Sequence, residues 1–259
     1  MNRQTAQRWR LTVAALAFLS ACTAHRYDNT AQRSGVAEAA GVTSVRVIAG
    51  AGWLRVAGRP GITQIHVSGI AHASSEAFLE HVRLTVTRSG SVVEISAQVP
   101  DEPQSIGQAA ALDLSVEVPS TMALNITDQS GETIIHNVGP LTIVDNGGGL
   151  EIEGVTGDLD VTDGAGELQV SDVHGQVYIR DGAGAIYVSN VHGSVNIPKD
   201  GSGEIQVSEV TGDLTIGAKE SGEVSARDVG GNFVVDAKGS GSVEYHGIKG
   251  HVSVPVHTK

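Results

Sequence analysis

Short apolar-x-apolar pairs recur along the C-terminal half of the chain at a nearly constant spacing. Each copy of the pattern carries two such pairs, for example Leu159/Val161 and Leu168/Val170. A period of two places both side chains of a pair on one face of a strand, so we predict two short strands per repeat. The copies are separated by 17, 18, 18, 19, 19 and 19 residues, and they start at Val138, Val155, Val173, Val191, Val210, Val229 and Ile248.

Two kinds of tight corner separate the predicted strands. The first is rich in aspartate and glycine, as in the run from Asp163 to Gly166, and the second has the form Val-x-Gly, as in Val155-Thr-Gly157. Glycine reaches the positive φ values that tight corners need, and aspartate accepts hydrogen bonds from the backbone of its own turn. Because both corners return at equivalent places from copy to copy, the pattern indicates a coil with regular bends.

One repeat has too few apolar residues to form a core of its own, so the repeats must stack. We therefore predict an all-β, single-stranded β-solenoid (β-helix) of 17–19-residue rungs, with a right-handed coil favoured. Six rungs would lie between residues 138 and 250 and rise roughly 30 Å in total. A β-sandwich or barrel of hairpins is the alternative, since it also has short strands at this spacing. The common register of the corners and the apolar pairs favours the solenoid.

The N-terminal half carries a less regular version of the pattern. The run from Gly50 to Val56 has the same form as the run from Gly164 to Val170, so residues 42–137 are predicted to be a degenerate part of the solenoid that continues as regular repeats over 138–259. Ser74 or Ser75 is expected to cap a short helix. The predicted strands are Val45–Ile48, Leu54–Val56, Ile65–Val67, Arg83–Thr87, Val92–Ile95 and Leu112–Val118.

Residues 1–21 have the form of an export signal. Three arginines precede an apolar run from Leu11 to Leu19, and the stretch ends in Leu19-Ser-Ala-Cys22. A basic start, a short apolar segment and small residues before a boundary are typical of a secretory signal. The last four residues resemble the lipobox of a bacterial lipoprotein, which implies that Cys22 is lipidated. An ordinary signal peptide with a chance cysteine is the alternative.

Residues 22–41 are small or polar and lack a period, so they are predicted to form a flexible tether. By the sorting preference of bacterial lipoproteins, Thr23 favours the outer membrane. Removal of residues 1–21, which hold three arginines and no acid, changes the formal net charge from −12 to −15. An acidic chain repels phosphate backbones, so nucleic acid is not an expected partner. We expect membrane contact only through the lipid.

The passage from Val116-Glu-Val-Pro119 through Asp128-Gln-Ser-Gly131 to the Asp-Gly-Ala-Gly corners resembles the bacterial DUF4097 family, whose members are named for adhesion and are close to the GIN head domains. This resemblance covers about residues 42–256 and brings no catalytic residues or cofactor. It implies a non-catalytic, lipid-anchored cell-envelope protein that contacts another protein or a surface polymer. The alternative is a periplasmic regulatory or scaffold component of an envelope stress response.

An enzyme is a remote alternative. The β-helix enzymes that act on polysaccharides place acids and bases beneath a cleft walled by long loops. The copies in this chain have hardly an insertion, so the sequence offers no loop that could wall a cleft or exclude water. We therefore expect no catalytic residues.

Aspartates recur at the first corner and are the weak candidates for a metal site. An aspartate at this position can accept hydrogen bonds from its own turn and remain solvated, or successive carboxylates can form a calcium ladder. The spacing differs from that of calcium-binding Gly-Gly-x-Gly-x-Asp repeats, so the solvated turn is favoured and no metal is expected. The aligned positions are Asp128, Asp145, Asp163, Asp181, Asp200, Lys219 and Lys238, and the metal candidates among them are Asp145, Asp163, Asp181 and Asp200.

Two histidines also align, one rung apart. His174 and His192 each occur in a Val-His-Gly corner, and the equivalent residues in the neighbouring copies are Thr156 and Thr211. A metal site needs more than two ligands, and the neighbouring copies supply no further histidine or other ligand at this corner. We therefore predict exposed corner histidines.

Overall fold

The computed structural model describes residues 28–100 and 109–255 and is built almost wholly of β-strands. One short helix, α1 (Glu76–Leu79), interrupts them. The strands are β1 (Asn29–Glu38), β2 (Ser44–Ile48), β3 (Leu54–Arg59), β4 (Gln64–Ala73), β5 (Arg83–Ser89), β6 (Val92–Gln98), β7 (Ala110–Pro119), β8 (Ala123–Asp128), β9 (Thr133–Val138), β10 (Leu141–Asp145), β11 (Leu150–Val155), β12 (Leu159–Asp163), β13 (Leu168–Val173), β14 (Val177–Ala183), β15 (Ile186–Val191), β16 (Val195–Ser202), β17 (Ile205–Val210), β18 (Leu214–Ser221), β19 (Val224–Val229), β20 (Phe233–Ser240), β21 (Val243–His246) and β22 (Val252–Ser253).

The strands form two 11-stranded sheets that enclose one core. From β8 onward the chain alternates between the sheets, and each strand pairs in parallel with the strand one repeat later. Leu159, for example, pairs with Val177, which pairs with Val195. The predicted β-solenoid is confirmed, and strands β10 to β21 form its six expected rungs. Within the described ranges, no helix has the length and apolar character needed to cross a membrane.

The inward residues of both sheets make a continuous apolar core. The predicted pairs Leu159/Val161 and Leu168/Val170 are at most 2% exposed, and corner valines such as Val155 are fully buried. Burial of one such side chain contributes about 1.5–3 kcal/mol relative to leaving it exposed. Since a single rung holds few of these residues, stability depends on contacts between rungs.

The rungs at the N-terminal end are stacked out of chain order. In one sheet β2 lies between β6 and β8, and in the other β3 lies between β7 and β9. Strands β1, β4 and β5 then continue the sheets in antiparallel pairing and cover the end of the coil. The degenerate half is therefore part of the solenoid together with its cap.

The predicted tether over residues 22–41 is wrong where the structure describes it. Residues 29–38 form β1, which pairs with β4 along its whole length. Arg33 fixes this strand to the neighbouring loop, because its Nε donates to the Val82 carbonyl oxygen at 3.1 Å and its Nη2 to that of Leu79 at 3.3 Å. Backbone pairing and these side-chain bonds order a segment that has no apolar pattern.

The predicted short helix is present and capped as expected. Its N-cap is Ser75, whose Oγ accepts a hydrogen bond from the Phe78 amide at 3.2 Å. Leu79 and Val82 are buried beneath it. The helix thus covers part of the core at the capped end of the solenoid.

The change from 18-residue to 19-residue repeats has a local cause. Between β14 and β16 the register shifts after Tyr178, so that Arg180 pairs with Lys199 rather than with Pro198. One extra residue in a strand makes a bulge, and proline is tolerated there because it has no amide hydrogen to donate. The bulge leaves Asp181 and Asp200 aligned.

Candidate functional site

A column of buried aspartates runs through the solenoid along its aspartate-glycine corner. Each aspartate directly follows the two inward apolar residues of its strand, as in Leu159-x-Val161-x-Asp163, and so points into the core. The predicted solvated position is therefore wrong. The members, with their exposed fractions, are Asp128 (0%), Asp145 (1%), Asp163 (3%), Asp181 (3%), Asp200 (1%) and Lys219 (4%), which we call the aspartate column.

Strand register stacks these residues directly above one another. Asp145 pairs with both Asp128 and Asp163, and Asp181 pairs with both Asp163 and Asp200. Neighbouring parallel strands lie about 4.8 Å apart, so successive carboxyl groups are about one rung spacing apart in a dry interior. Lys219 follows Asp200 in the same register.

Both ends of the aspartate column have hydrogen-bond partners. Asp128 accepts from the Thr133 hydroxyl at 2.8 Å and from the Gln129 amide at 2.9 Å. At the other end, the Lys219 ammonium group contacts Oδ2 of Asp200 and donates to the Gly203 carbonyl oxygen at 2.8 Å. One positive charge is thus buried beside the last carboxylate.

The middle of the column lacks partners among the described residues. Neither carboxylate oxygen of Asp163 or Asp181 has a hydrogen-bond partner there, and one oxygen each of Asp145 and Asp200 is also unpartnered. In this part of the column the turn amide of Gly147 donates to Oδ1 of Asp145 at 3.0 Å. Buried polar atoms without partners are costly and rare in folded proteins. The turn bonds expected from the sequence therefore satisfy only part of the column.

Burial makes these carboxyl groups hard to ionise. It is the main cause that raises the pKa of Asp145 to about 6, and the charges of Asp128 and Asp163 add to the effect. Burial likewise raises the pKa of Asp181 to about 7, assisted by the Asp200 carboxyl group and by the charge of Asp163. Asp181 and Asp200 can share a hydrogen bond only when one of them carries a proton. The pKa of Asp163 is also raised by burial, and the nearby Ala165 and Gly164 amides oppose this although neither makes a well-formed hydrogen bond to the carboxylate.

Stacked glycine corners lie beside the column. Gly148 and Gly166 have φ values of 133° and 142°, which favour glycine over other residues. A Cβ on Gly166 would lie 1.6 Å from the Gly148 carbonyl oxygen. Glycine is thus required both by the backbone angle and by the close approach of the next rung.

The predicted corner histidines are exposed, as expected. The rings of His174 and His192 stack on each other, with centroids 4.6 Å apart. His174 borders an open groove of about 700 Å³ that is also lined by Arg59, Asn137 and Asp172. These polar side chains lie on the outside of the coil and do not touch the aspartate column.

A second group of possible ligands lies on the outer face of the sheet that contains β11. The Nδ1 atom of His136 is 3.1 Å from Oε2 of Glu153, and Glu151 brings a third ligand atom within 4.8 Å of the others. Both glutamates are exposed. A direct contact between an imidazole nitrogen and a carboxylate oxygen, as in His136 and Glu153, needs no metal to hold it.

The outer face of this sheet is flat and rich in carboxylate and amide groups. The equivalent outward positions fall in register across successive strands, from Glu151 to Gln169 to Tyr187. Glu167 and Glu204, which directly precede β13 and β17, each accept a hydrogen bond from the glutamine two residues later. In the described ranges, neither a helix nor a further sheet covers these positions. Cys22, the predicted lipidation site, lies outside the described residues.

Comparisons with known proteins give only weak likenesses. No family model and no curated protein matches the sequence. Solved structures with a similar fold include a "putative adhesin" from Bacteroides fragilis (12% identity, TM-score 0.43, 87% of this chain and 97% of that one), another from Parabacteroides merdae (12%, 0.41, 87% and 96%), and a "putative lipid binding protein" from Parabacteroides distasonis (10%, 0.39, 88% and 98%). At these values the likeness assigns neither family nor function, and membership of the DUF4097 family stays an expectation.

Proposed function

We propose that this protein is a non-catalytic, lipid-anchored protein of the cell envelope whose solenoid is a surface-interaction module. The observation that carries the proposal is the flat outer face of the sheet containing β11, on which equivalent side chains repeat in register from strand to strand. Repeat stacks of this kind offer extended, rigid binding surfaces. The interaction would involve another protein or a surface polymer.

The chemistry of the face indicates the charge of its partner. Glu151, Glu153 and Glu167 are exposed there, and the chain without residues 1–21 has a formal net charge of −15. Complementary charge steers association and suppresses unsuitable partners. The partner is therefore expected to present basic groups to this face.

The N-terminal sequence supports a close attachment to the membrane. Strand β1 begins at Asn29, so six residues separate it from Cys22. Six extended residues span at most about 20 Å. Because β1 lies at the edge of the capped end, a lipid on Cys22 would hold that end near the bilayer and direct the regular rungs away from it.

Acyl labelling tests the anchor. We expect the protein produced in a Gram-negative host to incorporate labelled fatty acid and to fractionate with membranes. The Cys22→Ala variant should lose the label and leave the membrane fraction, whereas Thr23→Ser should keep both. Labelling that persists in Cys22→Ala would contradict a lipid anchor at this residue.

Charge reversal tests the interaction face. After chemical crosslinking in cells, the recovered partners should be lost in Glu151→Lys/Glu167→Lys. They should remain in the control Asp236→Lys, which alters an exposed carboxylate on the other sheet. Equal recovery from both variants would show that the acidic face does not carry the interaction.

A further inference from the structure

The Lys219 ammonium group shows how a cation fits into the aspartate column. Lys219 is 4% exposed and occupies the position one rung after Asp200. Its Nζ lies between Oδ2 of Asp200 and the Gly203 carbonyl oxygen. The corner of one rung thus provides a carboxylate and a carbonyl oxygen that together bind a positive charge.

The same two groups recur two rungs earlier. Asp163 and Gly166 are equivalent to Asp200 and Gly203 by strand register and by their spacing in the chain. The Gly203 carbonyl oxygen would lie 1.7 Å from a Cβ on Gly222, and the Gly166 carbonyl oxygen 1.6 Å from a Cβ on Gly184. Both carbonyl groups therefore point toward the following rung in the same way.

Between Asp163 and Asp181 the positive charge is missing. Here the following rung contributes a second carboxylate instead of a lysine, and none of the four oxygens has a partner among the described residues. Each side chain is 3% exposed. Two adjacent buried carboxylates repel each other unless a counter-ion or a proton lies between them.

We propose that a calcium ion binds between Asp163 and Asp181, held by their carboxylate oxygens and by the Gly166 carbonyl oxygen. Calcium takes carboxylate and carbonyl oxygens at about 2.4 Å, so two such bonds span a rung spacing of about 4.8 Å. Two carboxylates match its double charge. Magnesium binds oxygen at about 2.0–2.1 Å, so two such bonds fall short of the rung spacing, and zinc prefers nitrogen and sulfur ligands.

The proposal corrects the expectation drawn from the sequence alone. That expectation places each carboxylate in solvent and bonds it to its own turn. All carboxylates of the column are buried, and those at its centre lack hydrogen bonds to their turns. The inference is independent of the lipid anchor and of the interaction face. It concerns the interior of the solenoid and not its surface.

Thermal melting of the purified full chain in detergent tests the proposal, with far-UV circular dichroism as the readout. One sample contains millimolar calcium chloride, the second contains magnesium chloride, and the third contains the chelator EGTA. A ligand that binds only the folded state raises the melting temperature. We expect calcium to raise it by several degrees over EGTA, and magnesium to leave it nearly unchanged.

Variants locate the site. The calcium shift should disappear in Asp163→Asn/Asp181→Asn, which keeps the side-chain shape and removes both charges. It should remain in Asp236→Asn, an exposed control, and in Glu151→Gln/Glu153→Gln, which removes the exposed group near His136. Calorimetric titration of the unaltered chain with calcium checks binding without any variant.

Three results would overturn the proposal. The first is identical melting of the unaltered chain in calcium and in EGTA, which would mean that protons alone balance the column. The second is an equal shift with magnesium, which would indicate general screening. The third is a calcium shift that persists in Asp163→Asn/Asp181→Asn, or that is lost in Glu151→Gln/Glu153→Gln, because either outcome places the ion elsewhere.

Discussion

Two adjacent glycines in one corner should respond very differently to the same substitution. Gly148 has a φ of 133°, and a Cβ added to it would lie 1.7 Å from the Gly131 carbonyl oxygen in the preceding rung. A Cβ on Gly149 would meet nothing within 4 Å. Gly148→Ala and Gly149→Ala therefore make a matched pair that tests the stacking of the corners.

The size of the effect follows from two contributions. A residue other than glycine forced into this backbone region costs about 1–3 kcal/mol. Relief of the clash also requires one rung to move away from the next. That movement endangers bonds across the same gap, such as the one from the Thr133 amide to the Gly149 carbonyl oxygen at 2.8 Å, each of which contributes about 1 kcal/mol. We expect Gly148→Ala to lower the free energy of unfolding by about 2–4 kcal/mol.

Gly149→Ala should leave the stability unchanged or raise it by up to about 1 kcal/mol, because alanine restricts the unfolded chain. Urea unfolding followed by far-UV circular dichroism measures both variants against the unaltered chain. Equal losses of stability, or no loss in Gly148→Ala, would refute the positive-φ corner and the close approach of the rungs.

Three further predictions concern the core and its charges. Val177→Asp places an unpaired charge between two buried neighbours and should lower the free energy of unfolding by several kcal/mol, on the order of 3–5. Val144→Asp, at an outward position, should lower it little. Similar midpoints of urea unfolding for the two variants would contradict the assigned faces. Lys219→Met removes the partner of a buried carboxylate and should lower the free energy of unfolding by about 3–5 kcal/mol. The control Lys199→Met, at an exposed position of β16, should leave it nearly unchanged in the same assay. In EGTA the free energy of unfolding should fall from about pH 4 to pH 7, because burial raises the pKa of Asp181 from 3.8 to about 7 in the folded chain. The folded state is favoured fully below 3.8 and loses this effect as the pH rises through 7. Asp181→Asn should flatten this slope.

Much of the fold could be predicted because the solenoid repeats its pattern locally. The period of two alone identifies the inward residues of a rung, such as Leu159, Val161, Leu168 and Val170. The glycine corners recur at the same spacing. The stacking of β2 between β6 and β8 could not be predicted in this way. Short parallel strands with similar apolar pairs offer no local signal for the order in which they stack.

Strand β1 could not be predicted because its inward positions carry small or polar residues instead of large apolar ones. Ala31, Gly35 and Ala37 face the body of the protein, whereas Val36 is 56% exposed. A Cβ on Gly35 would lie 2.5 Å from the Val86 side chain, so this strand requires small residues where a pattern search expects large ones. Its order comes from the edge of β4 and not from its own composition.

The alignment of the aspartates is evident in the sequence, and their burial is also indicated there. In Leu141-x-Ile143-x-Asp145 the aspartate continues the period of two and therefore belongs to the inward face. Its position before a glycine-rich corner is equally typical of a solvated turn residue, so the two patterns predict opposite burial for the same side chain. The unpartnered oxygens at Asp163 depend on three-dimensional geometry and have no signal in the sequence.

Cysteine labelling of intact cells tests the proposed surface role most directly. Tyr245 is 52% exposed on β21, far from the capped end, and Cys22 is the chain's single cysteine and the proposed acylation site. We expect a membrane-impermeant maleimide to label Tyr245→Cys on intact Gram-negative cells as strongly as on cells whose outer membrane has been opened. Labelling that occurs only after the membrane is opened would contradict a surface-exposed module and favour the periplasmic regulatory or scaffold role.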